Sequence, residues 1–159
     1  MVKQQRLLYM AVICLLLVAV FYLIQRPNQT ARTSAPPVPQ VRSYTETIDA
    51  AFTIPQLNAK DYKFTVPAGA RDVKIGGRFT ATGGSGNDVE VSLMNEDQFV
   101  NWSNRHPVTP IYASQRVTQG TLDLPLPSDA ATYYIVFDNR FSVFSPKAVQ
   151  DNVALQYLK

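Results

Sequence analysis

The chain has 159 residues, with 15 Lys/Arg against 12 Asp/Glu, one cysteine and one histidine. That length holds one ordinary domain with appended segments and is short for two. The net charge of +3 sits near the amino terminus: residues 1–51 carry five Lys/Arg and two Asp/Glu, residues 52–159 ten of each, so the region expected to fold has no basic footprint for nucleic acid.

Residues 1–6, MVKQQR, form a short polar tail, and Leu7 to Ile24 follow as eighteen uncharged residues. As a helix this run is about 27 Å long, close to the ~30 Å hydrocarbon core of a bilayer. A cleavable signal would carry a shorter apolar core and a nearby small-x-small site. The first candidate, Thr33-Ser34-Ala35, is remote and precedes Pro36. Ile13 before Cys14 is too large for a lipoprotein box. The sequence thus predicts an uncleaved signal-anchor, a single-pass transmembrane helix over 7–24. Lys3, Arg6 and the α-amine precede it, against Arg26 and Arg32 after it, which orients the amino terminus to the cytoplasm and the rest to the periplasmic or extracellular side.

From Gln25 to Thr47 the chain carries Pro27, Pro36, Pro37 and Pro39 without apolar periodicity. This reads as a semi-rigid, Pro-rich linker, with the folded domain spanning 48–159.

Beyond Ala51 the signal is period-two alternation. Tyr62, Phe64 and Val66 form one apolar face, and Val73, Ile75, Gly77 and Phe79 another. GGSGN at 83–87 is a turn cluster, followed by Val89, Val91 and Leu93, which predicts a hairpin. Val117, Leu122, Leu124 and Leu126 lie in a later extended region. Tyr133, Ile135 and Phe137 mark another strand, and Val149, Val153, Leu155 and Tyr157 the last. Since no helical stripe is sustained here, the fold class is all-β: an antiparallel β-sandwich of about seven or eight strands with short helices or none.

Between strands, Glu96 to Gln115 is too long for a simple turn and is expected to be functional or pinned by Phe99, Trp102 and Tyr112. Trp102 is either a core anchor or a recognition platform. His106, beside Pro107, is alone, and Cys14 is the only cysteine, so no metal site of the common kinds and no nucleophile-base-orienter set has candidates. The expectation is no enzyme, no catalytic residue, no cofactor and no metal. Calcium is the exception weighed separately: Asn87, Asp88, Asn95, Glu96 and Asp97 would serve if they converged, while solvated edge charges are the simpler reading.

Residues 133–149 read YYIVFDNRFSVFSPKAV. Asp138 and Asn139 suit a turn, with Lys147 in reach of Asp138 as an exposed pair. Phe141 and Phe144 either plug the end of the sandwich or, exposed beside Arg140, form a docking site. The Tyr-rich strand, Phe137-Asp138-Asn139, Ser142 and Lys147 before a final alternating strand resemble the carboxy-terminal part of GOLD (Golgi dynamics) domains. The stretch is also similar to a group of short bacterial proteins with an amino-terminal membrane anchor and such a β-domain. The resemblance covers about the last thirty residues and implies a compact β-sandwich that binds proteins. With the anchor at the opposite end, no coiled-coil heptads and no cysteine pair, it implies an interaction module of a cell envelope rather than a cargo receptor.

The function expected is therefore a membrane-anchored extracytoplasmic protein-binding module without catalysis, its candidate contacts being Trp102, His106, Tyr112, Arg140, Phe141 and Phe144. The alternatives are a calcium-dependent, carbohydrate or small-ligand module, using Trp102, Tyr112 and the acidic edge, and a structural subunit of an envelope assembly.

Overall fold

Alternating sequences become strands because successive side chains point to opposite faces. The computed structural model describes residues 20–21, 41–48 and 50–159. The tail, nearly all of the apolar span and the linker up to residue 40 lie outside these. Among the described residues no helix is long and apolar enough to cross a membrane. Ten strand segments follow in order: β1 Ser43–Thr47, β2 Ala51–Ile54, β3 Ala59–Val66, β4 Arg71–Thr82, β5 Val89–Asn95, β6 Tyr112–Val117, β7 Gln119–Pro125, β8 Ala131–Asp138, β9 Lys147–Asp151 and β10 Ala154–Leu158. One helix, α1 Glu96–Ser103, sits between β5 and β6. Ser43–Thr47, read from the sequence as linker, is thus part of a sheet.

One sheet orders its strands β1-β10-β4-β9-β2 with β7 on the other side of β4, and the second orders them β3-β8-β5-β6; all pairings are antiparallel. Two breaks in the first sheet are only nominal. Thr47 faces Ala154 and Ala51 faces Gln150, without a slip, and Ile48 donates to the Val153 carbonyl at 3.2 Å between them. β1–β2 and β9–β10 therefore act as two long strands, leaving eight in all, four per sheet. Counted that way the sheets run 1-8-3-6 and 2-7-4-5, the winding of a jelly roll.

The side chains that alternate inward meet between the sheets. Phe64, Val73, Ile75, Phe79, Val91, Leu93, Ile135, Phe137, Val149 and Leu155 are all buried. Phe137 of one sheet meets Phe52 and Phe79 of the other edge-on, at 5.1 and 5.8 Å between ring centroids, the arrangement that aromatic quadrupoles favour. Gly77 allows the longest strand to stay flush with its neighbour. It has φ 139°, and a Cβ there would lie 2.6 Å from the Asn152 carbonyl oxygen and 2.7 Å from Val153 Cα.

The hairpin expected across GGSGN does not form: β4 and β5 belong to different sheets. Gly83 and Gly84, at φ 111° and 69°, instead turn the chain from one sheet to the other. The same glycine chemistry serves an arch as well as a hairpin.

Candidate functional site

The inner face of β8 fills the core, yet its outer face is covered too. Val136 is buried there, as is Met94 on neighbouring β5. The cover is α1, begun by a capping box: the Asn95 side chain accepts from the Gln98 amide and the Gln98 side chain accepts from the Asn95 amide, both at 2.9 Å. Gln98 also donates to the Thr109 carbonyl at 2.7 Å, tying the helix to the loop that leads into β6. Phe99 lies flat on Tyr134, 3.9 Å between centroids, and Trp102 stacks beside Phe99 at 5.8 Å. Glu96 and Asp97 occupy the first helical turn, where carboxylates oppose the positive end of the helix dipole. They lie at the far end of β5 from Asp88, about 25 Å away at strand rise. The five acidic and amide residues weighed for calcium therefore do not converge.

The corner after β8 is held by buried polar groups. Asn139 is fully buried, and its side-chain amide donates to the carbonyls of Ser145 at 3.0 Å, Pro55 at 3.1 Å and Ile54 at 3.4 Å. Its backbone amide donates to Asn58 and its carbonyl accepts from Ser142, whose hydroxyl donates to Ser145 at 2.9 Å. One side chain thus closes the corner on itself and fastens it to the β2–β3 connection. Asn139 opens the turn expected of it, its carbonyl accepting from the Ser142 amide at 3.1 Å.

Lys147 does not reach Asp138. It is in phase with the inward Val149 and is 2% exposed. Its ammonium donates to Asp88 at 2.8 Å and to the Gly83 carbonyl at 2.9 Å, pinning the arch to the corner. The Lys147 bond is the main reason that the Asp88 carboxyl is held below the ordinary aspartate value of 3.8; partial desolvation opposes it. Asp138 instead takes the Arg140 amide at 2.8 Å and its guanidinium at 2.8–3.1 Å.

From that pair outward, cations and rings alternate across the surface. The Arg140 guanidinium lies 4.0 Å over Trp102, so the tryptophan has a ring face occupied from within the protein. Arg116 lies 4.0 Å over Phe141 and pairs with Glu90 at 3.0 Å. Phe141 is half-buried beneath it, with Lys147 5.8 Å from the ring. Phe144, three residues on, is 91% exposed, with Val143 beside it 56% exposed. The two phenylalanines therefore divide: one is a support, the other projects.

Two hollows flank this row. The larger, about 570 Å³, lies over the outer face of β5 between Trp102, Met94, Ser92, Ser114, Arg116 and Asp138. The smaller, about 260 Å³, is bounded by Gly84, Asp88, Arg116, Phe141, Phe144 and Lys147. Arg116 lines both.

Of the six residues singled out from the sequence, Trp102 and Arg140 come together, and Phe141 and Phe144 share the smaller hollow. Tyr112 packs against the core from β6, and His106 is exposed, its amide closing the turn after α1 on the Asn101 carbonyl at 2.9 Å. Neither lines either hollow. Trp102 covers the outer face of a sheet instead of anchoring the core. Sequence reasoning missed Arg116 and the Glu90–Arg116 and Lys147–Asp88 pairs. The signal for Lys147 was present, a lysine in the apolar phase of its strand, and the unbroken run YYIVF pointed to a strand covered on both faces. The Glu90–Arg116 pair had no such signal, because the β5–β6 register shifts between Glu90 and Ser92. Compared with models of known families and with curated proteins, the sequence finds no match.

Proposed function

We propose that this chain is a membrane-anchored, GOLD-like β-sandwich that binds a protein partner on the extracytoplasmic side through the 138–147 corner, without catalysis. The observation that supports this reading is the tip of that corner: Phe144 is 91% exposed beside Val143, on a loop whose backbone is fixed by Asn139 and Lys147. A large ring held out to water by a rigid mount costs folding nothing when removed and suits a partner's pocket, as aromatic anchors do at interfaces. A photo-crosslinking residue placed at position 144 of the full chain in its native membrane should capture a discrete protein, and one at the exposed Asp123 should not. Phe144→Ser should abolish capture from a neighbouring position such as 143 while leaving the melting temperature unchanged. Equal capture at 144 and 123, or no protein adduct at 144, refutes the proposal.

The 570 Å³ hollow favours a second reading, a small-ligand site, since it falls in the size range of ligand pockets. Glu90, Arg116 and Asp138 on its walls are paired within the protein, which suits a neutral polar ligand better than an ion. Thermal-shift screening with neutral saccharides tests it, and a shift that survives Trp102→Ala would place the ligand elsewhere.

A further inference from the structure

We propose that the outer edge of β1 pairs with the same edge of a second copy of this chain, antiparallel and centred on Tyr44. Arg42 and Lys159 exchange both backbone hydrogen bonds at 2.9 Å, and Ile48 donates to Val153. Arg42, Tyr44 and Glu46 therefore spend their peptide groups on β10, and antiparallel alternation turns those of Ser43, Thr45 and Thr47 outward. Among the described residues no strand takes up that edge. The other edge strands carry the devices by which proteins keep strange strands away. Exposed Lys60 and Lys63 line β3, a positive-φ Gln115 bends β6, and β7 carries an exposed Asp123 and ends on Pro125. β1 is exposed at all five positions and has no lysine, proline or bulge.

Four two-fold registers satisfy the outward groups; the one centred on Glu46 sets two glutamates against each other, and the one centred on Ser43 sets Arg42 against Tyr44 and pairs no opposite charges. Centred on Thr45, the pairing sets Tyr44 against Glu46 and Arg42 against the half-buried Ile48, matching nothing. Centred on Tyr44, it joins Ser43 to Thr45 through backbone bonds, sets Arg42 against Glu46 on both sides of the two-fold axis, and brings the two Tyr44 side chains together on one face. Opposite charges and aromatic pairs directly across a ladder each favour pairing. Tyr44 already stacks on Tyr157 at 5.2 Å with planes 9° apart, so its ring is ordered before a second copy arrives. The interface is isologous, as a two-fold dimer requires.

Position 44 would face itself across a non-hydrogen-bonded pair, with Cα atoms about 4.5 Å apart, within disulfide reach. In the full chain carrying Cys14→Ser, Tyr44→Cys should give a disulfide-linked dimer under mild oxidation at least about tenfold faster than Asp123→Cys or Thr45→Cys. Arg42→Glu or Glu46→Arg added singly should slow that dimer about tenfold, since two attractive pairs become repulsive, and the double reversal should restore it. Each altered side chain is exposed, so unchanged circular dichroism confirms that the fold survives. Faster linking through Thr45 than Tyr44, failure of the double reversal to rescue, or silence at both positions, as expected if the chain's own upstream segment covers the edge, overturns the proposal. Phe144→Ser leaves this dimer intact, which separates the result from that of partner capture.

Discussion

Removing Asp88 should destabilise the domain far more than removing Lys147, although the two form one ion pair. The Lys147 side chain is 3% exposed and that of Asp88 23%. In Asp88→Ala the ammonium is stranded with the Gly83 carbonyl as its remaining partner in that pair of bonds. Breaking a buried pair from one side costs about 3–5 kcal/mol; with one hydrogen bond kept, the lower end applies, about 3 kcal/mol. In Lys147→Met the stem is replaced by a chain of similar volume, and the carboxylate left behind reaches water, so the cost is about 1 kcal/mol. The double variant should resemble Lys147→Met alone, giving a coupling of about 3 kcal/mol. Urea unfolding of residues 40–159, which form a compact unit with their own core, followed through the lone Trp102, measures all four. For a domain of this size the larger loss lowers the melting temperature by about 10–15 °C. If Asp88→Ala costs no more than Lys147→Met, Lys147 is not buried as described and the corner is not pinned through the arch.

Asn139→Asp should be worse than Asn139→Ala, by about 1–2 kcal/mol, because a carboxylate would face three carbonyl oxygens that now receive donors; equal losses by the same urea assay would contradict the bonding described. Stability should also decline at both ends of the pH scale for separate reasons. The depressed Asp88 carboxyl contributes stability that is whole above about pH 4 and lost as pH falls through its lowered value, so Lys147→Met should flatten the acid limb. Tyr133 is raised above its ordinary value of 10.0, first by burial and then by the charge of Asp129, so stability is whole below pH 10 and falls as pH rises through the raised value. Tyr133→Phe should flatten that alkaline limb, as melting temperatures measured across pH would show.

The alternation of Tyr62, Phe64 and Val66, of Val73 to Phe79 and of Val89 to Leu93 was legible in the sequence because one face of each strand is wet and the other dry. What joins to what was less legible. Gly83 and Gly84 supply positive φ, which a hairpin and an inter-sheet arch both use, and only the long-range placement of β5 between β6 and β8 decides between them. Lys147 misled through its type: lysine reads as surface until its phase with Val149 is given more weight than its charge. At the candidate site, exposed Phe144 and half-buried Phe141 differ by a three-residue offset within an irregular loop. No periodicity operates there, and the outcome rests on Asn139 bonds to carbonyls more than eighty residues away.

The register that runs unslipped from β1–β2 along β9–β10 also determines how the domain would carry a pull. Arg42 enters at one end of that ladder, opposite Lys159, while the corner leaves from the other end, where Lys147 faces Ile54. A tension applied between Arg42 and Phe144 would slide the two long strands past each other. All their hydrogen bonds would then be loaded together, whereas a pull from one end would open them singly. Pulled at Arg42 and at Phe144, the ladder would be loaded in shear, the direction in which paired strands hold hardest.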